Sequence, residues 1–341
     1  MEQSVAWVEL PDGTSVAYAT AGTGPPLLFV NGWLSHLELS WALITERAFL
    51  EALANGRTLV RYDRPGCGLS DGQREAHWSL GREAAAIRAV MSAVGAPTFD
   101  LMGSSLGVPI ALDWAARQPG TVSRLILYGG WARGADIAAP DVRQSVVGLV
   151  RSHWGLGSDL LTEIFAPEAS AGTRTALASY QRQASTAETA AELLAACYEI
   201  DVVDSLGDVT APTLVLHRHD DRAAPLEQSR FIASRIEHAR LVELPGRSHL
   251  PYVGDVDALV REVRRFLGLR SLRTSATPTL TTRQQEVADL VSQGLTNREI
   301  AQRLIIDERT AEGHVERIRT KLGIRSRAQI ATWWVASQAP N

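Results

Sequence analysis

Gly103-Ser104-Ser105-Leu106-Gly107 sets a serine between two glycines, after the apolar run 99–102 and before a helical stretch, the G-x-S-x-G pattern in a strand–turn–helix context. A hydroxyl on so sharp a turn sits on strained backbone with neighbours packed close. The flanking positions therefore cannot carry Cβ atoms, and the following helix N-terminus holds the oxygen up. A serine hydroxyl needs a base to act as a nucleophile, and the base needs an orienting acid. Of the 8 histidines, His249 is the candidate base, because it follows the apolar run 241–244 in the loop Pro245-Gly246-Arg247-Ser248-His249. The acid is Asp220 or Asp221, both after the run 213–216 in His217-Arg218-His219-Asp220-Asp221. Either carboxylate could instead cap the helix that follows Pro225. Acyl chemistry also needs N–H donors for an oxyanion, and the candidates are Leu106, next to the serine, and Trp33 in Val30-Asn31-Gly32-Trp33. His217-x-His219 with Asp220 offers metal-ligand types, but a fourth ligand is not evident and alternate strand residues face opposite sides. No metal and no cofactor is assigned.

A second kind of chemistry lies at the other end of the chain. The total formal charge is −4, yet residues 271–341 carry ten bases against seven acids, so that end is +3 and residues 1–270 are −7. Six of the ten bases fall within 309–327. A solvated helix face would show this, and so would a surface built to meet a polyanion.

The elements that must position these groups follow from periodicity. Near-continuous apolar runs recur at 27–30, 58–62, 99–102, 125–128, 213–216 and 241–244, as buried parallel strands require. Helical stretches at 82–94 and 106–117 separate several of them, so the class is α/β. Residues 7–10 and 16–18, across Pro11-Asp12-Gly13, form an antiparallel hairpin leading in. The Ala- and Leu-rich stretch of about 131–207 breaks the alternation and is expected to be a helical cap over the sheet. Small polar residues and a proline mark 269–279 as a linker. In 280–341 three capping boxes, Thr281-x-x-Gln284, Thr296-x-x-Glu299 and Ser326-x-x-Gln329, open helices, and Asp307 can cap a further one. These short helices must pack through Val287, Leu290, Val291, Ile300, Leu304, Val315, Ile318, Leu322 and Ile330. The segments 296–304 and 308–322 have helix-turn-helix spacing. At 100° per residue Ala311, Val315, Ile318 and Leu322 share a buried face, which leaves Arg309, Gly313, Glu316, Arg317 and Thr320 on the side that enters a major groove. Gly313 is unexpected inside a helix, where it costs about 1 kcal/mol against Ala. Close approach to DNA or a tight helix crossing would each explain it.

Residues 5–268 resemble the α/β-hydrolase superfamily, through Asn31-Gly32-Trp33, Tyr62-Asp63-Arg64-Pro65-Gly66-Cys67-Gly68-Leu69-Ser70, the Ser105 turn and the Asp221 and His249 loops. The resemblance implies an eight-stranded, mostly parallel sheet with a helical cap, ester-like or related substrates, and the chain order Ser105, Asp221, His249. Asp221 is preferred to Asp220 because it stands four residues before Pro225, the family spacing. One departure is Asn31, where many members have His. Residues 280–334 resemble the C-terminal domain of LuxR-type regulators through Leu280-Thr281-x-Arg283, Gly294-Leu295-Thr296-Asn297-Arg298-Glu299-Ile300-Ala301, Thr310, His314-Val315 and Lys321-Leu322-Gly323. That implies a small all-α domain that binds double-stranded DNA. Arg298, Arg309, Arg317, Arg319, Lys321, Arg325 and Arg327 are candidate phosphate contacts, with Thr310, Glu312, Gly313 and Glu316 on the reading side. Glu312 and Glu316 depart from the basic or apolar readers of several members; Glu316 can accept from cytosine N4 or repel phosphate. The helix after Ser326 often pairs subunits in this family, so a homodimer is expected, with Trp333 and Trp334 either at that contact or completing the core.

Composition agrees with a globular chain: 341 residues, 45% apolar, 21% charged, 27 Gly and 15 Pro exclude disorder, fibre and repeat array as whole-chain readings. Cys67 and Cys197 cannot make a disulfide framework, and the N-terminus has no apolar leader. With no stretch near the ~18 apolar residues of a membrane span, a soluble, cytoplasmic protein without a membrane partner is expected. The joint expectation is a DNA-binding transcription regulator whose hydrolase-fold domain senses, and hydrolyses, a small ester-like or acyl ligand under the cap. The alternative is an esterase-like serine hydrolase whose tail serves subunit assembly.

Overall fold

The computed structural model describes residues 1–71, 78–270, 280–322, 324 and 326–338. The chain divides into two compact units, Met1–Leu272 and Arg273–Asn341. Of the expected linker, 271–279 lie outside the described residues.

The first unit is built on eight strands: β1 (Gln3–Glu9), β2 (Ser15–Ala21), β3 (Pro26–Val30), β4 (Thr58–Tyr62), β5 (Phe99–Ser104), β6 (Val122–Tyr128), β7 (Thr213–Arg218) and β8 (Ala239–Leu244). Their order is β1-β2-β4-β3-β5-β6-β7-β8. β1 and β2 form the antiparallel hairpin, with Gln3 opposite Ala21, and β2 pairs antiparallel with β4. All later pairings are parallel. The central strands are apolar on both sides because helices cover both faces. Successive side chains alternate between two cores. Leu27, Phe29, Leu59, Met102, Ile126, Leu214 and Leu216 pack against Phe49, Leu50 and Leu53 of α2 (Ile44–Ala54) and Leu259 and Val263 of α10 (Val256–Phe266). Leu28, Val30, Val60, Leu101, Leu125, Leu127 and Val215 face the other side. There they meet α3 (Leu80–Ala93), α4 (Gly107–Arg117) and α9 (Leu226–Arg235) through Ile87, Val90, Ile110, Leu112 and Ile232. A short α1 (Leu37–Ala42) precedes α2.

Between β6 and β7 stand four helices, α5 (Pro140–Ser152), α6 (Trp154–Phe165), α7 (Ala171–Ala184) and α8 (Ala187–Glu199). α5 packs on α8 and α6 on α7. Ser170 and Thr186 accept from the backbone N–H groups of Thr173 and Thr189, so each closes a helix N-terminus that would otherwise leave its donors unpaired.

In the second unit α11 (Thr282–Ser292), α12 (Asn297–Leu304), α13 (Glu308–Leu322) and α14 (Arg327–Gln338) share a small core. Val287, Leu290, Val291, Ile300, Ala311, Val315, Ile318 and Ile330 are buried in it, while Leu304 and Leu322 only flank it. All three capping boxes form, at Thr281/Gln284, Thr296/Glu299 and Ser326/Gln329. Each satisfies two orphan N–H groups at once. Among the described residues no helix is long and apolar enough to cross a membrane.

Candidate functional site

The serine follows β5 and immediately precedes α4, and its backbone is left-handed, at φ +55°. A non-glycine residue held there is under strain that the surrounding fold must hold in place. Ser105 N–H donates to the Tyr128 carbonyl at 3.0 Å, which ties the turn to β6. A Cβ on Gly103 would collide with the Gly107 carbonyl, and one on Gly107 with the Val30 carbonyl. The two glycines are required for that reason.

His249 lies in the loop after β8 and Asp221 in the loop after β7, so both loops open at the same edge of the sheet as the serine turn. His249 Nε2 is 2.8 Å from Ser105 Oγ, and its Nδ1 is 2.7 Å from Asp221 Oδ2. The Asp221 side chain is buried. Burial pushes its carboxyl up, but the charge and hydrogen bond of His249 and the Ala223 N–H outweigh that and hold it below the usual carboxylate value. Asp220, the competing acid, is exposed and bonds His219 at 3.0 Å instead. Neither the Trp33 nor the Leu106 N–H has a partner among the described residues, although both side chains are buried. Two unpaired donors beside a serine are what a developing oxyanion would use.

Three further sets of contacts support this arrangement. Arg64 and Glu83 form a buried pair at 3.0 Å, and the same guanidinium donates to the carbonyls of Gly32 and Asn31, which fixes the loop that carries Trp33. His217 is fully buried beside Asp221, 3.6 Å from Oδ2. Burial lowers its imidazole pKa, so it is neutral, with Nε2–H on the Ala224 carbonyl and Nδ1 accepting from Ser229 Oγ. From the cap, Glu168 accepts from the backbone N–H groups of Arg247 and Ser248, and the Phe165 carbonyl accepts from the His249 N–H at 2.7 Å. Arg64 was visible in the motif 62–70; Glu83 is an isolated acid in a helical stretch and Glu168 one in the turn between α6 and α7, with nothing in their neighbours to single them out.

Ser105 and His249 sit between two cavities. One is lined by Phe29, Glu46, Thr162, Leu177, Tyr180, Gln181 and Tyr252. The other is lined by Trp131, Ile137, Val146, Leu161, Leu194 and Arg222. Trp33, edge-on to Trp154 at 6.0 Å and to Phe165 at 6.4 Å, stands at both. A molecule with two arms joined at an acyl centre fits such a divided space. Cys67 and Cys197 are buried free thiols whose pKa burial pushes up to about 12.

In the second unit Ala311, Val315 and Ile318 of α13 face the core. Arg309, Thr310, Glu312, Glu316 and Arg317 of the same helix are exposed, as is Arg298 of α12. Arg325 and the side chain of Lys321 lie outside the described residues. Three details refine the sequence reading. A Cβ on Gly313 would meet only the end of Arg317 at 3.5 Å, so no helix crossing requires this glycine. Arg327 donates to Asn297 Oδ1 at 2.6 Å and to the Leu295 carbonyl, so it closes the fold rather than facing phosphate. Arg319 is paired with Glu316 at 2.9 Å, which balances that acid's charge. Trp334 donates to Asp289 at 2.9 Å and packs with Trp333 on the core.

Comparison with known proteins agrees with both halves. The profile of the alpha/beta hydrolase fold matches residues 25–255, and that of the luxR family of bacterial regulatory proteins matches 278–334. A pyrrolizixenacetamide deacetylase from Xenorhabdus hominickii is 26% identical over 74% of this chain and 94% of its own. A 2-hydroxy-6-oxo-2,4-heptadienoate hydrolase from Pseudomonas putida is 26% identical over 76% and 94%. Among solved structures, a hydrolase from Pseudomonas aeruginosa superposes with a TM-score of 0.67 at 24% identity, covering 78% of this chain and 98% of that one. At that identity the likeness shows the fold alone. The chain thus belongs to the alpha/beta hydrolase fold family, and it carries a luxR-type helix-turn-helix domain on the same polypeptide.

Proposed function

We propose that this protein is a DNA-binding transcription regulator whose hydrolase-fold unit binds and hydrolyses a small ester-like or acyl ligand. The observation that carries the catalytic part is His249 bridging Ser105 and Asp221 at 2.8 and 2.7 Å beside two unpaired N–H donors. In this reading His249 Nε2 takes the Ser105 proton as Oγ attacks the acyl carbon, and the carbonyl oxygen, now an anion, is held by the Trp33 and Leu106 N–H groups. The imidazolium, steadied by Asp221, gives the proton to the leaving alkoxide or amine. Water, deprotonated by the same imidazole, then releases the acid and restores the serine. The deacetylase and hydrolase names of the relatives are in keeping with acyl chemistry. The regulatory part is supported by the exposed Arg298, Arg309 and Arg317 on the helix-turn-helix. We place the protein in the cytoplasm with the DNA it reads, as a homodimer that offers two reading helices to a two-fold site.

The test uses the full chain. Ser105→Ala is expected to lower turnover of simple acyl esters by at least about 10³-fold while duplex binding without ligand stays as in the parent. Residual turnover near the parent rate rejects Ser105. Duplex binding that is absent or indifferent to salt favours an enzyme whose tail only assembles subunits.

A further inference from the structure

One buried ionisable group at the cavity beside Ser105 takes no part in the triad. Glu46, on α2, lines that cavity, is 3% exposed, and its Oε2 has no hydrogen-bond partner among the described residues. Tyr252 bonds the carboxyl, and the opposite charge acting on it is Arg61. The Arg61 guanidinium donates elsewhere, to Ser40 Oγ at 2.7 Å and Gln3 Oε1 at 2.6 Å. Asp63 is a second acid acting on the same carboxyl. Two acids thus share one base, and ionised Glu46 is left with an unbalanced negative charge in a place water scarcely reaches. Burial is what raises its pKa to about 7, with Arg61 and Tyr252 opposing the rise and Asp63 adding to it.

A second acceptor lies on the cap side of the same cavity. Gln181 of α7 is 6% exposed, and its Oε1 has no partner among the described residues. Its amide orientation is fixed, because Nε2 donates to the Ser158 carbonyl at 3.2 Å and to Thr162 Oγ1 at 2.7 Å, and that hydroxyl already donates to Ser158. Phe29, Leu177 and Leu250 form an apolar part of the wall, beside the polar Asn31, Thr162, Tyr180 and Tyr252. Native proteins leave few buried acceptors unpaired, so two in one cavity indicate donors brought by a ligand.

We propose that this cavity receives a ligand arm ending in a protonated primary amine, which donates to Glu46 and Gln181 and is balanced by the Glu46 charge, while the ligand's acyl centre lies at Ser105. A hydroxyl would pair with one acceptor and leave the charge; an alkylammonium supplies three donors and the opposite charge together. The apolar part of the wall suits its alkyl stem. Placement of the acyl centre rests on the hydrolase reading above, whereas recognition of the amine does not.

The experiment keeps the two apart. Ethyl ω-aminoalkanoates and ω-aminoalkyl acetates of increasing length are offered to the full chain beside uncharged alkyl esters of equal length, and acid release is followed by pH-stat. In at least one series the amine-bearing ester is expected to exceed its uncharged counterpart about tenfold in kcat/KM, and Glu46→Gln to bring that ratio close to one. Gln181→Leu should give an intermediate ratio. A ratio near one throughout the parent series, or an undiminished ratio in Glu46→Gln, overturns the proposal. Should the parent cleave none of these esters, the hydrolase reading fails, and calorimetric titration with n-alkylammonium chlorides decides the amine site separately. Saturable heat lost in Glu46→Gln supports the site; no heat, or equal heat in both, overturns it.

Discussion

The Oε2 atom of Glu168 accepts a hydrogen bond from the Ser248 hydroxyl at 2.7 Å, and this joins the cap to the loop that carries His249. The same oxygen accepts from the Arg247 and Ser248 backbone N–H groups at 3.1 and 3.0 Å. From the other side Arg218 donates to the Ser248 carbonyl at 2.9 Å. The loop before the imidazole is therefore clamped between a cap carboxylate and a buried guanidinium. Burial raises the Glu168 pKa, but these three donors and the Arg218 charge outweigh it and hold the carboxyl below its ordinary value.

Glu168 acts on the reaction through the position of His249. Glu168→Ala is expected to lower kcat for a simple ester about 10- to 100-fold, with KM little changed, since misplacing a catalytic group by about 1 Å costs on that order. Glu168→Gln, which keeps an acceptor oxygen, should recover part of the loss. Steady-state kinetics on both variants checks this. A fall in melting temperature with kcat intact would reduce Glu168 to a structural tie.

The Arg64–Glu83 pair supports both the fold and the Trp33 loop, and the two roles separate by mutation. Arg64→Met leaves Glu83 buried and uncompensated beside Tyr62 at 2.5 Å and Trp78 at 2.8 Å. The expected cost is about 3–5 kcal/mol in urea unfolding. Adding Glu83→Leu should restore much of that stability. Turnover should stay low in the double variant, because the Asn31 and Gly32 carbonyls have lost their donor. Full recovery of turnover in the double variant would show that the loop holds its shape unaided.

Glu46 makes a pH signature. Its folded pKa, raised from 4.5 to about 7, means that the folded state holds a proton the unfolded chain releases. Stability from this group is fully present below 4.5 and is lost as pH rises through about 7. The loss amounts to about 3 kcal/mol at 1.36 kcal/mol per unit. The groups facing it, Arg61, Asp63 and Tyr252, are part of that value. Asp221, with a lowered pKa, loses its contribution only below 3.8 and leaves this window undisturbed. Glu46→Gln should therefore flatten the decline in unfolding free energy across this range, as read by urea denaturation of the full chain at a series of pH values. Parallel curves for parent and variant would contradict the assignment.

Arg317 is exposed on α13 and donates at 2.9 Å to the Gly313 carbonyl of its own helix, and among the described residues no other element holds it. Arg317→Ala is expected to weaken binding to all duplexes and to reduce the slope of log affinity against log salt by about 1. Arg327→Ala should instead lower the stability of the helical unit, because it removes the tie to Asn297 and Leu295. An unchanged slope for Arg317→Ala places that side chain away from phosphate.

What the sequence determined by itself is whatever is settled within a few residues. The Gly103–Gly107 turn, the capping boxes at Thr281, Thr296 and Ser326, the apolar strands and the Ala311–Val315–Ile318 face of α13 all follow from neighbours one to four positions apart, and all stand in the structure. Asp221 was separable from Asp220 only by its spacing to Pro225. The physical distinction is that the Asp221 carboxylate is buried on His249 while that of the preceding Asp220 faces solvent. Tertiary structure alone decided the partners that meet across long stretches of chain. Arg64 reaches Glu83, Glu168 reaches Ser248 from the cap, and Glu46 and Gln181 come to one cavity from α2 and α7. Arg327, one base among many in a basic segment, closes on Asn297 instead of facing outward. A lone charged residue in a helical stretch reads as a solvated surface group, since local sequence carries hydrophobic period and turn chemistry but not the low-dielectric surroundings that folding assembles around a charge.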